Sequence, residues 1–227
     1  MATTKLDVYL EVGKKKVMAC AVGWRGWCRS GRDEQQALEA LLESAARYAS
    51  ILKAAGIAFR QPQSVNDLYV VERLEGDSST DFGLPSLTPP QDEGSFSEQD
   101  VRPLLALLDA YWTAFSLAAK AARGKELAKG PRGGGRELEK IVEHVRDAEG
   151  GYANRLAWKG ETYQGDDLLG SLEHAHEQAR KALARAAEVE LPKQGPRGGK
   201  MWTPRYFVRR TGWHVLDHVW EIEDRSM

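Results

Sequence analysis

Three of the five histidines in this 227-residue chain have a spacing suited to metal binding. His214 and His218 are four residues apart, which places both imidazoles on one face of a helix, one turn from each other. His144 lies in the segment IVEHV (141–145), which matches VLDHV (215–219) in residue type at every position. Three imidazoles can fill three positions of a tetrahedral or octahedral ion and leave at least one open. The sequence therefore predicts a divalent-metal site, with zinc, nickel or iron as the candidate ions.

The matching histidine segments belong to an internal repeat. The pentapeptide GPRGG occurs at 130–134 and again at 195–199, each time before a predicted helix. The helices that follow are expected to be related by a pseudo-twofold axis, although nine residues separate turn from histidine in one copy and eighteen in the other. Arg132 and Arg197 in these turns are candidates for binding an anionic substrate group through guanidinium and free backbone N–H groups. Flexible connectors with solvated arginines are an equally good interpretation.

The alternative for the three candidate ligands is burial as core histidines bonded to carboxylates or carbonyls. His174 and His176 are two residues apart and point to different sides of a helix, so a solvated face explains both, with His176 as a reserve ligand. Tyr152, Arg209 and Arg210 are candidates for lining a substrate pocket, because they are near the predicted ligands in the chain. No residue is identified as a general base.

Four amphipathic helices are predicted to carry these residues. Apolar residues at helical spacing indicate helices over about 97–124, 135–158, 167–188 and 204–223, separated by turns rich in glycine and proline. Four such helices are typical of a helical bundle.

The N-terminal region indicates an α+β fold. Alternating apolar residues over 5–12 and 15–24 predict a β-hairpin. Helical spacing from about 32 to 56 predicts one helix of about six turns. Residues 68–74 predict a further strand, which gives a ββαβ layer with the helix covering one sheet face.

An acidic stretch separates the two regions. Between Arg73 and Arg102 there is no Lys or Arg, and prolines, glycines and serines accompany the acids. Such a stretch usually stays solvated. The chain is therefore predicted to have an α+β domain over 1–75, a linker over 76–96 and an all-α domain over 97–227.

Composition argues against several classes of partner. Lys plus Arg number 32 against 33 Asp plus Glu, so no basic surplus calls for nucleic acid or an acidic membrane surface. There is no 18-residue apolar run, and the first residues have neither a basic lead nor an apolar signal segment, so a cytoplasmic location without a membrane partner is expected. Cys20 and Cys28 fit neither a disulfide framework nor a zinc knuckle and are expected to be reduced thiols.

The segment RTGWHVLDHVWEIED (210–224), together with His144 on an earlier helix, resembles the DinB-like superfamily over roughly residues 97–225. The resemblance implies an up-down-down-up four-helix bundle in which His144, His214 and His218 bind one divalent ion. Members of that superfamily include thiol-dependent transferases and isomerases, alongside many proteins with no assigned reaction. The function hypothesis for this chain is a metal-dependent enzyme, of the hydrolase or thiol-dependent transferase type, that acts on a small thiol-bearing or anionic molecule. The stretch 159–166 is short for the crossover that this topology requires.

Residues 5–74 are similar to HicB-like antitoxin domains, mainly through the GWCRSG turn (26–31) before the predicted helix. This similarity implies partner binding or self-association through a strand edge, and a homodimer would be one outcome. A small structural module explains the same residues equally well. The alternative function for the chain is therefore a non-catalytic, antitoxin-like interaction protein.

Overall fold

The protein is a mixed α/β chain made of two compact units in a computed structural model. The structure describes residues 5–129, 135–195 and 198–226. Unit 1 comprises Met1–Gly94 and Val208–Trp213, and unit 2 comprises Ser95–Phe207 and His214–Met227. None of the helices in the described ranges is both long enough and apolar enough to cross a bilayer.

Unit 1 is built on a four-stranded sheet with the order β3-β2-β1-β4. Its strands are β1 (Leu6–Val12), β2 (Val17–Ala21), β3 (Cys28–Gly31) and β4 (Leu68–Glu75). The predicted hairpin is present as the antiparallel pair β1–β2, and β4 joins β1 in parallel. The predicted ββαβ order does not include β3, because the sequence CRSG of this strand has one apolar residue and indicates a turn rather than a strand. Antiparallel pairing with β2 makes it an edge strand instead.

Two helices, α1 (Glu34–Glu43) and α2 (Ala45–Ala54), occupy the stretch predicted as one helix. The break lies at Ser44, whose hydroxyl donates to the Leu41 carbonyl at 2.8 Å. The same hydroxyl accepts a hydrogen bond of 2.8 Å from the indole Nε1 of Trp27, which is fully buried. A buried indole N–H needs a hydrogen-bond acceptor, which the Ser44 hydroxyl provides. A serine hydroxyl that bonds a backbone carbonyl competes with the helical hydrogen bonds, so the helix is interrupted at this residue.

Residues 76–96 differ from the solvated linker that their composition predicts. Up to Gly94 they belong to unit 1, and they contain α3 (Ser78–Phe82) and a short 3-10 turn that ends at Asp92. The Asp92 side chain is fully buried and forms an ion pair with Arg209. Acidic composition indicates solvation only when the carboxylates lack partners, and this partner lies far away in the sequence.

Four long helices, close to the predicted ranges, carry unit 2, although residues Val208–Trp213 of the last one belong to unit 1. They are α4 (Glu98–Ala122), α5 (Leu138–Asn154), α6 (Leu168–Arg185) and α7 (Pro204–Arg225). Apolar stripes on these helices form the core, with Leu108, Phe115, Ile141, Val145, Ala179, Leu183, Val215 and Val219 fully buried. His144 flanks the α5 stripe and His218 flanks the α7 stripe, as the sequence predicts.

Residue pairs between helices α4, α5 and α6 define their relative directions. Arg146 contacts Ser171 and, further along both helices, Glu149 contacts His176, so α5 and α6 run in the same direction. Arg180 pairs with Asp109 while the earlier His176 stacks on the later Trp112, so α4 and α6 run in opposite directions.

Contacts with α5 likewise define the direction of α7. His144, near the start of α5, lies beside His218 of α7, whereas the later Tyr152 lies beside Trp202, just before α7 begins. These two helices therefore run in opposite directions. The connection between α5 and α6 covers residues 155–167, longer than the sequence suggests because α5 ends at Asn154.

Candidate metal centre

Three imidazoles converge in unit 2. One nitrogen from each of His144, His214 and His218 lies within 4.8 Å of the other two. His144 Nε2 and His214 Nε2 lie 3.1 Å apart. The rings meet edge to face, with interplanar angles of 69°, 86° and 89°. Nitrogens on a tetrahedral zinc ion with bonds of 2.0–2.1 Å lie about 3.3 Å apart, so this arrangement could hold one divalent ion.

Burial distinguishes the three ligand candidates. His214 and His218 are each 7% exposed, whereas His144 is only partly buried and is the more accessible member of the group. Burial, together with the nearby guanidinium of Arg136, lowers the pKa of His144. The imidazole is therefore neutral near pH 7, which is the form that binds metals.

A carboxylate orients one of the rings. His218 Nδ1 lies 2.7 Å from Glu221 Oε2, one helical turn further along α7. This hydrogen bond holds the pKa of Glu221 below its ordinary value, so the carboxylate is ionised and accepts the Nδ1 proton. Nε2 of His218 then keeps its lone pair for a metal, as in the carboxylate–histidine pairs of known metal sites. Glu221 is absent from the predicted site, although its i+3 spacing from His218 is a signal in the sequence.

An arginine at the end of α7 holds this carboxylate in place. Arg225 donates to Glu221 Oε1 at 2.7 Å. It also exchanges two hydrogen bonds of 2.8 Å with Ala128, one from its Nε to the Ala128 carbonyl and one from the Ala128 amide to its own carbonyl. Gly135 has a φ of +149°, and a Cβ there would come within 2.5 Å of the Arg225 guanidinium. Ala128 and Gly135 therefore both lie against Arg225 at the end of α7.

Comparison of the chain with protein-family models, with curated proteins and with solved structures found no match. The geometry of the histidines therefore carries the functional argument.

The structure describes the contacts of three other residues predicted for the site. Arg209 belongs to unit 1, is fully buried and binds Asp92 through its guanidinium. Arg210, in the same unit, lies over the ring of Trp213 at 4.7 Å. Both arginines have partners in unit 1, and the pocket role predicted for them stays a prediction. Tyr152 does approach the histidines, with its ring centroid 5.8 Å from that of His214.

The predicted anion-binding arginines, Arg132 and Arg197, lie outside the described residues. Their role stays a prediction.

His176 is neither a reserve ligand nor part of a solvated face. It is 1% exposed and stacks on Trp112, with 4.6 Å between ring centroids. Its Nε2 faces the buried carboxylate of Glu149 at 3.4 Å. Leu172, four residues before it on the same helix face, is also buried. This apolar spacing indicates that His176 faces the core, despite the charged residues next to it in the sequence. His174 instead hydrogen-bonds the Glu161 carbonyl through Nε2, at 2.8 Å.

Removing the charge of Glu221 is expected to weaken metal binding. Glu221→Gln should lower the affinity for zinc by about tenfold, because the acceptor of His218 loses its charge, and Glu221→Ala by up to about 100-fold, because the acceptor itself is lost. Titration calorimetry would measure both. Glu223→Gln, an exposed change on the same helix, is the control and should bind zinc as the parent does. Equal affinities in all four proteins would show that Glu221 has no part in the site.

Proposed function

We propose that the chain is a divalent-metal-dependent enzyme with its centre at His144, His214 and His218, of the hydrolase or thiol-dependent transferase type. The observation that carries the proposal is the convergence of three imidazole nitrogens from two helices within 4.8 Å of one another. Three protein ligands leave at least one position open, which is typical of catalytic rather than structural sites.

The donor set narrows the choice of ion. Neutral imidazole nitrogens suit zinc, nickel and iron, whereas magnesium and calcium prefer oxygen ligands. When bound, such an ion would lower the pKa of a water or thiol and polarise an acceptor group. His144, His214 and His218 would hold it, and Glu221 would keep His218 in the ligating tautomer.

The DinB-like bundle remains part of the proposal, and the helix directions support it. Relative to α4, the pairs of contacting residues assign the opposite direction to α5 and α6 and the same direction to α7. That order corresponds to an up-down-down-up bundle. The thirteen residues from 155 to 167 can span about 40 Å when extended, more than the roughly 25 Å length of α5, so they are long enough for the crossover.

Metal titration of the full chain tests the proposal. The parent should bind about one equivalent of zinc or nickel, and His144→Ala, His214→Ala and His218→Ala should each bind at least about 100-fold more weakly. His174→Ala is the matched control on another helix and should bind like the parent. Unchanged affinity in the three ligand variants would remove the metal centre.

A second measurement addresses catalysis. The zinc- or nickel-loaded chain should hydrolyse an activated ester or transfer a thiol to a reactive electrophile, and the metal-free chain and His218→Ala should not. Metal binding without turnover in either assay would contradict the assignment of both reaction types.

A second candidate function concerns unit 1. β4 is an edge strand of the sheet, and its Tyr69 side chain is 51% exposed. Exposed strand edges can pair with another chain, so self-association into a homodimer, as in antitoxin-like proteins, is the interaction that this edge would support. Sedimentation of the full chain at micromolar concentration should then give a dimer, and a monomer would contradict it.

A further inference from the structure

An aromatic wall adjoins the histidine triad in unit 2. The ring of Tyr152, on α5, lies 5.1 Å from that of Trp202. Trp202 in turn lies 5.2 Å from Tyr206, in the first turn of α7. On its other side Tyr152 meets His214 edge to face, with 5.8 Å between ring centroids. The wall therefore runs from a candidate ligand toward the start of α7.

Exposure indicates which rings are accessible. Tyr206 is 3% exposed and belongs to the core, whereas Tyr152 and Trp202 are only partly buried. Partly exposed aromatic surfaces beside a reactive centre are favourable places for the apolar part of a ligand, because they are rigid and lose bound water at a small free-energy cost. Aromatic rings fit such a wall best, by stacked or edge-to-face contact.

A fixed positive charge lies at the far end of the wall. The guanidinium of Arg155 is 5.9 Å from the centre of the Trp202 ring. The Trp202 amide donates to the Arg155 carbonyl at 3.0 Å, and Arg155 donates to the Lys200 carbonyl at 3.2 Å, so charge and indole are held together. Arg155 is otherwise exposed and can contact an anion.

We infer that the substrate of the proposed centre has an aromatic ring, which contacts Tyr152 and Trp202, and a negative charge on that ring, which contacts Arg155. This inference rests on the proposed function, since the reacting group of such a molecule would lie at the triad.

Three metal-binding probes of increasing size test the inference on the zinc-loaded full chain. They are acetohydroxamate, benzohydroxamate and 4-carboxybenzohydroxamate, and titration calorimetry would measure their affinities. Benzohydroxamate should bind about tenfold more tightly than acetohydroxamate, because its ring contacts the wall. The carboxylate should add a further gain of about threefold or more through Arg155.

Substitutions show which residue causes each gain in affinity. Trp202→Ala and Tyr152→Leu should reduce the ratio of benzohydroxamate affinity to acetohydroxamate affinity to about twofold or less. Arg155→Gln should remove only the gain from the carboxylate. Trp202→Phe, which preserves an aromatic ring, should restore most of the preference and guards against misfolding in Trp202→Ala.

Two failures are distinguishable. A chain that binds no zinc overturns the proposed function and the inference together. A chain that binds zinc but shows equal affinity for acetohydroxamate and benzohydroxamate, or an unchanged preference in Trp202→Ala, overturns the inference alone.

Discussion

Glu149→Gln is expected to remove a large pH dependence from the stability of unit 2. Burial raises the pKa of Glu149 from an ordinary 4.5 to about 8, so the folded chain holds a proton that the unfolded chain releases. Trp112 Nε1 donates to Glu149 Oε1 at 2.7 Å, and the other oxygen, Oε2, faces His176 Nε2 at 3.4 Å. A protonated carboxyl can share its proton with a neutral imidazole across that gap.

The direction of the pH effect on stability follows from the number of protons that the folded and unfolded states bind. Because the folded state binds more protons between pH 4.5 and 8, the free energy of unfolding falls as the pH rises through this window. Burial lowers the pKa of His176 to about 4, which affects stability only below about pH 6.5. Between pH 6.5 and 9 the parent should therefore lose about 2 kcal/mol relative to Glu149→Gln.

Urea denaturation at several pH values would measure this difference. Glu139→Gln, an exposed change on the same helix as Glu149, is the control. It should show the pH dependence of the parent. A constant difference between the parent and Glu149→Gln from pH 6.5 to 9 would show that Glu149 is already ionised in the folded chain.

Asp92→Ala is expected to lower the free energy of unfolding by about 3–5 kcal/mol. Arg209 contacts both carboxylate oxygens of Asp92, at 2.5 and 3.0 Å, and Arg25 donates to one of them at 2.9 Å. The side chains of Asp92 and Arg209 are both fully buried, so loss of the carboxylate leaves a buried guanidinium without its countercharge. Hydrogen bonds from Arg209 to the carbonyls of Ala21 and Val22 do not neutralise it.

A double variant distinguishes the loss of stability caused by the unpaired charge from the loss caused by weaker packing. Asp92→Ala combined with Arg209→Met should be less destabilised than Asp92→Ala alone, because it removes the uncompensated charge. Glu93→Ala, an exposed neighbour, should change stability by less than about 0.5 kcal/mol. Denaturant unfolding of the full chain would measure all of them. If the losses of stability in Asp92→Ala and in Arg209→Met alone simply add up in the double variant, the role of the buried charge is contradicted.

Local patterns were sufficient to predict much of the candidate site. The i,i+4 spacing of His214 and His218 fixes their relation on one helix, and the repeat predicts that His144 lies opposite them. Glu221 has an equally local signal, three residues after His218, but such a spacing is common on solvated helices and indicates a partner only once the histidine is known to be buried.

Features that depend on distant residues could not be predicted in this way. The Asp92–Arg209 pair joins residues 117 positions apart, and acidic composition suggests a linker there. The edge strand β3 exists because of its pairing with β2 rather than because of its own sequence. His176 is buried because Trp112, from another helix, covers its ring.

X-ray absorption spectroscopy of the zinc-loaded full chain is the most direct test of the metal centre. One zinc ion per chain should show three imidazole nitrogens at about 2.0–2.1 Å and at least one further, exchangeable ligand such as water. The His214→Ala chain should lose part of the imidazole scattering at equal zinc concentration. A parent spectrum that matches hydrated zinc, or one that is unchanged in His214→Ala, would contradict the claim that these three histidines hold one ion.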